Sequence, residues 1–448
     1  MGSSIKVKKS TMVRPAKETP KGSLWLSKID MIIRTPYSHT NALFFYPPNN
    51  NTNKPFDPNI FKEALSKALV PFYPMVGRLI FNDENGRYEI DCNAKGALFI
   101  EAESTKALAD YGDYLNPNSQ LKKLVFPKCD YSGGLSSFPL LLVQITNFKC
   151  GSLCLSIQPH HHVADGTSHF HFFNSWAILP RGLDLSVYPV HDRATYLAPR
   201  NPPQVKFRHL EYEPSLPPLI PKGLSGEMIM TTECTLKLTK DQVNTLKLQV
   251  TSQEVTNYKL STFEVQAGHV WRNVCMARGL ANDQDVKLYI VVNGRSRLKD
   301  MRLPKGYFGN IHLYATCLEK EGDIKCKPLR YAASKIHEAI KKFDDIEYII
   351  SAIDFLESRP NVMDIVRGSQ TSTCPNFAIN SWASLPLYEG DFGWGGPIYT
   401  SINAIKYEGK SFITPSSDRD GSFSVTLKLF STHMEAFKEY FYNISSKL

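Results

Sequence analysis

Apolar residues recur along this chain with two periods, and the two alternate. After Asp57-Pro58, Phe61, Ala64, Leu65, Ala68 and Leu69 fall at helical spacing, and Pro71 and Pro74 stop the helix. A hairpin follows, with Leu79–Phe81, an Asn85-Gly86 turn, then Tyr88, Ile90 and Cys92 alternating with Glu89 and Asp91. Strands are predicted near Leu140–Thr146 and Leu153–Ile157, joined at Lys149–Gly151. The second runs into Pro159-His160-His161-His162-Val163-Ala164-Asp165-Gly166, after which Ser168 is expected to cap a helix burying Phe172, Phe173 and Trp176.

Residues Pro189 to Pro221 hold eight of the chain's 29 prolines, which excludes a regular helix or central strand and predicts an extended crossover. Beyond it, Thr239…Gln242 and Ser261…Glu264 are capping boxes, each opening an apolar-periodic helix. A strand at Leu288–Val292 leads to Asn293-Gly294-Arg295-Ser296-Arg297. Helices are expected near Tyr331–Phe343 and Ile346–Leu356, and a strand near Phe377–Trp382 leads toward Asp391-Phe392-Gly393-Trp394-Gly395. Phe423, Val425, Leu427 and Leu429 alternate with polar residues as in a half-buried strand, and a closing helix buries Met434, Phe437 and Phe441. The pattern predicts two mixed α/β domains, over residues 1–188 and 229–448, joined by the proline-rich crossover 189–228.

Composition agrees with two domains. The 448 residues exceed the size at which one core stops growing, and at 42% apolar and 11% aromatic they supply two interiors. The net charge of +9 is a small difference between 52 basic and 43 acidic residues. The basic residues are dispersed, with runs no longer than Lys6–Lys9 (interrupted by Val7), so a small anionic ligand is expected rather than nucleic acid. The N-terminus lacks the apolar core of a secretory signal, and the longest strongly apolar run, near Leu140–Val143, is too short to cross a bilayer, so no membrane partner is expected. Nine dispersed cysteines without a Cys-x-x-Cys pair suggest neither a disulfide framework nor a zinc ribbon, and the sequons at Asn50 and Asn443 are expected to stay unused. The chain ends Ser446-Lys447-Leu448, a peroxisomal address.

Five of the twelve histidines lie between 160 and 171, in the loop leaving a strand end. An imidazole there can take a proton from an alcohol or amine and return it to a leaving group. Satisfied structural histidines and a metal site are the competing readings; no His-Glu-x-x-His or completing carboxylate cluster favours the metal. Asp391-Phe392-Gly393 lacks the other kinase motifs, and Gly409-Lys410-Ser411 has Ala404 where a P-loop needs its first glycine.

His161-x-x-x-Asp165-Gly166 together with Asp391-Phe392-Gly393-Trp394-Gly395 resembles the BAHD family of plant acyl-CoA-dependent acyltransferases. The resemblance extends through Ser10–Pro15, Glu63–Pro74, Ala267–Arg272 and Gly306–Asn310, which look like the hydroxycinnamoyltransferase branch. Leu24–Met31 and Arg34–Thr40 are most similar to anthranilate N-hydroxycinnamoyl/benzoyltransferases. It implies two chloramphenicol-acetyltransferase-like domains with an active-site channel between them, in a monomer. It implies His161 as general base moving an aromatic acyl group, benzoyl or hydroxycinnamoyl, from CoA to an amine or hydroxyl acceptor without an acyl-enzyme. Acyl-CoA is then a co-substrate, and neither a cofactor nor a metal is expected. Asp391 is implied as a second catalytic residue or a loop-fixing carboxylate. Asp165 is implied to pair with Arg295 or Arg297, with Gly166 and Trp394 structural, and His39 and Thr40 on the acceptor side.

Two positions depart from the family pattern. Ser384, in Ser381-Trp382-Ala383-Ser384-Leu385-Pro386, stands where branch members carry an arginine for the acceptor carboxylate, which predicts an acceptor without a carboxylate or a relocated anchor. Asn293 replaces an aspartate before Gly-Arg-Ser-Arg. A shikimate or quinate O-hydroxycinnamoyltransferase is the alternative within the class, and a non-catalytic partner protein the alternative outside it. The terminal Ser-Lys-Leu implies a peroxisomal import receptor as partner and favours benzoyl-CoA as donor; the cytoplasm is the alternative location.

Overall fold

The computed structural model describes residues 4–33, 35–49, 55–112, 119–220, 230–251, 258–298, 303–361, 365, 367–402 and 405–444. The terminal Ser446-Lys447-Leu448 and part of the crossover (221–228) lie outside the described residues.

Two six-stranded mixed sheets carry the fold. The first runs, in spatial order, Ile5–Val13, Ala97–Ser104, Leu141–Asn147, Leu153–Pro159, Ala42–Tyr46 and Tyr399–Ile402. Only the Ala97–Ser104/Leu141–Asn147 pair in it is parallel. The second runs His312–Lys320, Asp285–Asn293, Asn376–Ser381, Lys410–Pro415, Phe423–Phe430 and Thr231–Leu238, with its parallel pairs at the centre. The hairpin read from Asn85-Gly86 forms, as Arg78–Asn82 and Arg87–Asp91, and Ser23–Trp25 joins it in a small third sheet.

Alternation in the central strands of the first sheet sorts side chains onto two faces. Ala42, Phe44 and Tyr46 enter the main core, whereas Leu43 and Phe45 enter a smaller one with Leu121 and Val125. On the main face the helix Pro58–Ala68 packs against the helix Gly166–Ile178. Phe61 meets Trp176 at 6.1 Å between ring centroids, and the indole N–H donates to the Phe61 carbonyl at 3.1 Å.

Both capping boxes are present: Thr239 with Gln242 and Ser261 with Glu264 exchange side-chain and backbone hydrogen bonds. Ser168 is not the cap of its helix. Asp165 is, because its carboxylate reaches the Ser168 amide at 2.9 Å and the helix begins one residue later at Gly166. That places Asp165 at the junction of strand end, turn and helix. The halves are also interleaved: Tyr399–Ile402, late in the chain, pairs antiparallel with Ala42–Tyr46 and finishes the first sheet across the 189–228 crossover.

Candidate active site

The strand Leu153–Pro159 delivers His160–Ala164 to the boundary between the two sheets, and backbone hydrogen bonds hold the turn. The His160 amide donates to Leu140 O at 2.7 Å, His161 N to Ser38 O at 3.1 Å, and Val163 N to His160 O at 2.9 Å. His160 Nε2 lies 2.9 Å from the Pro36 carbonyl. A carbonyl only accepts, so Nε2 carries the proton and Nδ1 is left to accept the His162 amide at 3.3 Å. Burial first, then the neighbouring His162 and His39 rings, pushes the His160 pKa well below its ordinary value, so this histidine is a neutral strut.

Asp165 is buried, and its carboxylate oxygens are taken by four donor groups. Arg295 grips it bidentately at 2.6 and 3.0 Å, and the amides of Ser168 and Ile311 donate at 2.9 and 3.1 Å. Burial opposes its ionisation, but the Arg295 charge and these donors prevail and hold the carboxyl at about 2. Arg295 also donates to Ser168 Oγ and Gly309 O, both at 2.9 Å. Asp165 therefore anchors the loop. Of the two arginines expected as its partner, Arg297 is excluded, since it pairs with Asp344 instead. Asn293 fits where an aspartate was expected: its oxygen accepts the Arg295 amide at 3.0 Å, and its Nδ2 donates to Thr167 Oγ1 at 3.2 Å, which a carboxylate could not do.

A cavity of about 460 Å³ opens between the two halves, a size suited to a small ligand. His161, Asp165, Gly166, His39, Thr40 and Ser384 all line it. His39 is buried with both nitrogens engaged, Nδ1 with Tyr131 Oη at 2.7 Å and Nε2 with Pro139 O at 2.9 Å. Burial lowers its pKa to about 4 against the opposing Pro139 hydrogen bond, so it is a neutral wall. Thr40 donates its hydroxyl to Pro159 O at 3.0 Å. Gly166 leaves room for Leu385: a Cβ there would sit 3.2 Å from Leu385 Cδ1.

Asp391 is not at this cavity. Its Oδ1 accepts the amides of Gly393 and Gly395, each at 2.8 Å, and its Oδ2 faces Arg181 at 3.7 Å. Both glycines have left-handed φ, +111° and +97°, so the carboxylate pins a turn that other residues would strain. Of the two roles implied for Asp391, these contacts account for fixing the loop. Trp394 packs in the same region, stacked on Phe392 at 5.8 Å and edge-on to Phe56 at 5.1 Å.

Two cavity residues were not singled out in the sequence. His312 begins the strand His312–Lys320, and its ring stands nearly perpendicular to that of His161, 5.7 Å between centroids. Arg367 lies at the far end, its guanidinium 4.3 Å from the Tyr314 ring and 5.1 Å from that of Tyr289, and its amide donates to Ile32 O at 2.8 Å. Among the described residues no carboxylate pairs with it. His312 lies two residues beyond the Gly306–Asn310 block, a signal for it; nothing in the sequence marks Arg367 among the other arginines. Among the described residues no three His, Cys, Asp or Glu side chains converge as a metal site would require.

Solved structures share this fold. Vinorine synthase superposes with a TM-score of 0.72 at 21% identity, covering 96% of each chain. The F. sporotrichioides TRI101, solved with coenzyme A and T-2, gives a TM-score of 0.74 at 16% identity, covering 93% of this chain and 97% of that one. The chain belongs to the Transferase family, whose model matches residues 3–444, that is, to the BAHD acyltransferases that its motifs resemble. Anthranilate N-benzoyltransferase protein 2 of Dianthus caryophyllus is 50% identical over 449 residues, covering 98% of this chain and all of that protein. Shikimate O-hydroxycinnamoyltransferase of Nicotiana tabacum is 48% identical over 444 residues, covering 98% and 99%. The protein is an acyl-CoA-dependent N- or O-acyltransferase.

Asp165→Asn keeps the shape of the anchor but leaves the Arg295 charge buried and unmatched, so a loss of about 3–5 kcal/mol in stability is expected at pH 7. Because the folded carboxyl titrates at about 2, below the unfolded value of 3.8, its contribution is complete above pH 4 and is lost as pH falls from there through 2. Denaturant titrations between pH 7 and 2 should show the wild type converging on the variant. For Asp391, Asn retains the oxygen that accepts both glycine amides. Asp391→Asn should keep kcat within about threefold of wild type, while Asp391→Ala loses about 1–2 kcal/mol of stability with the turn; a fall of kcat by two orders of magnitude in a folded Asp391→Asn would restore a proton role.

Proposed function

We propose that the protein moves an aromatic acyl group, benzoyl or hydroxycinnamoyl, from CoA to an amine or hydroxyl of an acceptor that also carries a carboxylate. The observation that carries this reading is the cavity itself, with an imidazole held at one end and, at the other, a guanidinium that has no carboxylate partner among the described residues. In it, His161 takes the proton as the acceptor's nitrogen or oxygen attacks the thioester carbonyl. The tetrahedral intermediate then collapses, the carbon–sulfur bond breaks, and His161 returns the proton to the departing sulfur, leaving CoA as the free thiol. The chain's own residues bind and orient two substrates; no acyl-enzyme is formed.

Ser384 lines the cavity but offers no charge. Arg367 does, and its contacts support a relocated anchor: the tyrosine rings fix the plane of the guanidinium, and the Glu211 carbonyl accepts from Nη2. A planar guanidinium suits a carboxylate through paired, charge-assisted hydrogen bonds. The reading agrees with relatives named for anthranilate and for shikimate, and it replaces an acceptor without a carboxylate. The donor enters as a co-substrate, and the enzyme works as a monomer.

The test is a matrix of benzoyl-CoA and p-coumaroyl-CoA against acidic and neutral amines and alcohols, read by CoA release and product mass. His161→Ala should lower kcat by about 10²–10⁴ with little change in stability; undiminished turnover would refute the mechanism. Arg367→Gln should lower kcat/KM about 10- to 150-fold for carboxylate acceptors, mostly through KM, and leave the KM for acyl-CoA unchanged. An equal loss with neutral acceptors would show that Arg367 only supports the wall.

A further inference from the structure

We propose that His312 is a specificity-determining residue, an imidazole that hydrogen-bonds a second polar group of the acceptor, on the carbon adjacent to the one bearing the nucleophile. This rests on the acyl-transfer reading above, with His161 as the proton acceptor.

His312 is held by the network that holds His161. The loop before it is tied down at Gly309 by Ser168 and Arg295, at Asn310 by Asp30 and the His161 carbonyl, and at Ile311 by Asp165. His312 then pairs with Asn293 across the strands, so its backbone cannot drift relative to His161. The two rings face the same cavity from opposite halves of the chain, 5.7 Å apart and inclined at 80°.

No hydrogen bond joins the His312 ring to another described residue, its one ring contact being His161. Neither ring nitrogen of His312 is among the buried polar atoms left without a partner, so both reach the open cavity, where a polar group of a bound acceptor can take the place of water. Burial lowers the His312 pKa, with Asp165 opposing and Arg295 and Lys410 reinforcing, so the ring is neutral and offers one donor and one acceptor.

The spacing selects the ligand. A hydrogen bond to a ring nitrogen spans about 2.9 Å. Two polar atoms close together, as on adjacent carbons, let one small molecule engage both imidazoles, the nucleophile at His161 and its neighbour at His312. Vicinal diols and ortho-aminophenols have that arrangement. On the same strand face as His312, Tyr314 continues the wall toward Arg367, which leaves the far end for a carboxylate.

The experiment compares wild type, His312→Phe and His312→Gln with benzoyl-CoA and p-coumaroyl-CoA as donors. The acceptors come in matched pairs: catechol and phenol, 2-aminophenol and aniline, 3-amino-4-hydroxybenzoate and 3-aminobenzoate. The wild type should favour the vicinally substituted member at least tenfold in kcat/KM. His312→Phe, which keeps an aromatic ring beside His161, should slow that member about tenfold to a hundredfold and leave the other within twofold, removing the preference. His312→Gln, which can still donate and accept, should recover part of it. Equal use of both members by the wild type, or a His312→Phe that slows both alike or leaves the preference intact, overturns the assignment. Release of no CoA with any acceptor overturns the acyl-transfer reading itself, and this assignment with it.

Discussion

The Asp165–Arg295 ion pair is the contact on which the rest of the arrangement depends. Its two residues come from different halves of the chain, and it is buried at the point where both sheets meet the cavity. Burying two charges costs more than an exposed pair would, and the cost is offset only when every remaining lone pair and proton finds a partner. Here Ser168, Gly309 and Ile311 supply all but one, the Arg295 Nε proton having no partner among the described residues. A second buried carboxylate, Asp30, lies on the other flank of the same loop, accepting from the Asn310 amide and side chain at 3.0 and 2.9 Å and paired with Arg193 at 3.4 Å. The loop 309–311 is thus clamped between two carboxylates of the first half. Such a clamp specifies one relative position of the halves; an apolar contact of equal area would tolerate sliding.

That relative position defines the cavity, because its walls come from both halves. His161, His39 and Thr40 stand on the first, His312, Tyr314 and Arg367 on the second. The strand Tyr399–Ile402 closes the same boundary by a different means, adding main-chain hydrogen bonds from late in the chain to the edge of the first sheet. Side-chain ion pairs set the register of the halves, and the borrowed strand prevents them from separating.

Much of this was legible in the sequence where the signal is local. The helix beginning at Pro58, the Asn85-Gly86 hairpin, both capping boxes and the alternating strand at 423–430 depend on neighbours a few residues away. The cap of the helix after the histidine turn was misread because Ser168 and Asp165 are both good caps, and the choice is made by Arg295, 130 residues distant. The same distance decides between Arg295 and Arg297. Arg367 was invisible for a related reason: its place follows from a stack on Tyr314 and Tyr289, on two other strands, and no spacing along the chain encodes it. Asp391 shows the converse, a motif loud in sequence whose carboxylate is occupied by the two glycines next to it.

The electrostatics around His161 follow from the same economy of charge. A base that becomes cationic when it takes a proton is hindered by positive charge nearby. Arg295 is close, but its charge is matched by Asp165. His39, His160 and His169 are close too, and burial is the first cause that lowers each of them, to about 4 for His39 and about 3 for His169, so at neutral pH none adds a charge. Arg367, which has no carboxylate partner among the described residues, stands at the far end against tyrosine rings, where it can attract an anion without opposing protonation at His161. Neutral histidines packed around a working one are therefore not redundant copies of it. They shape the turn and the wall as neutral rings and, in the proposed mechanism, leave proton traffic to His161.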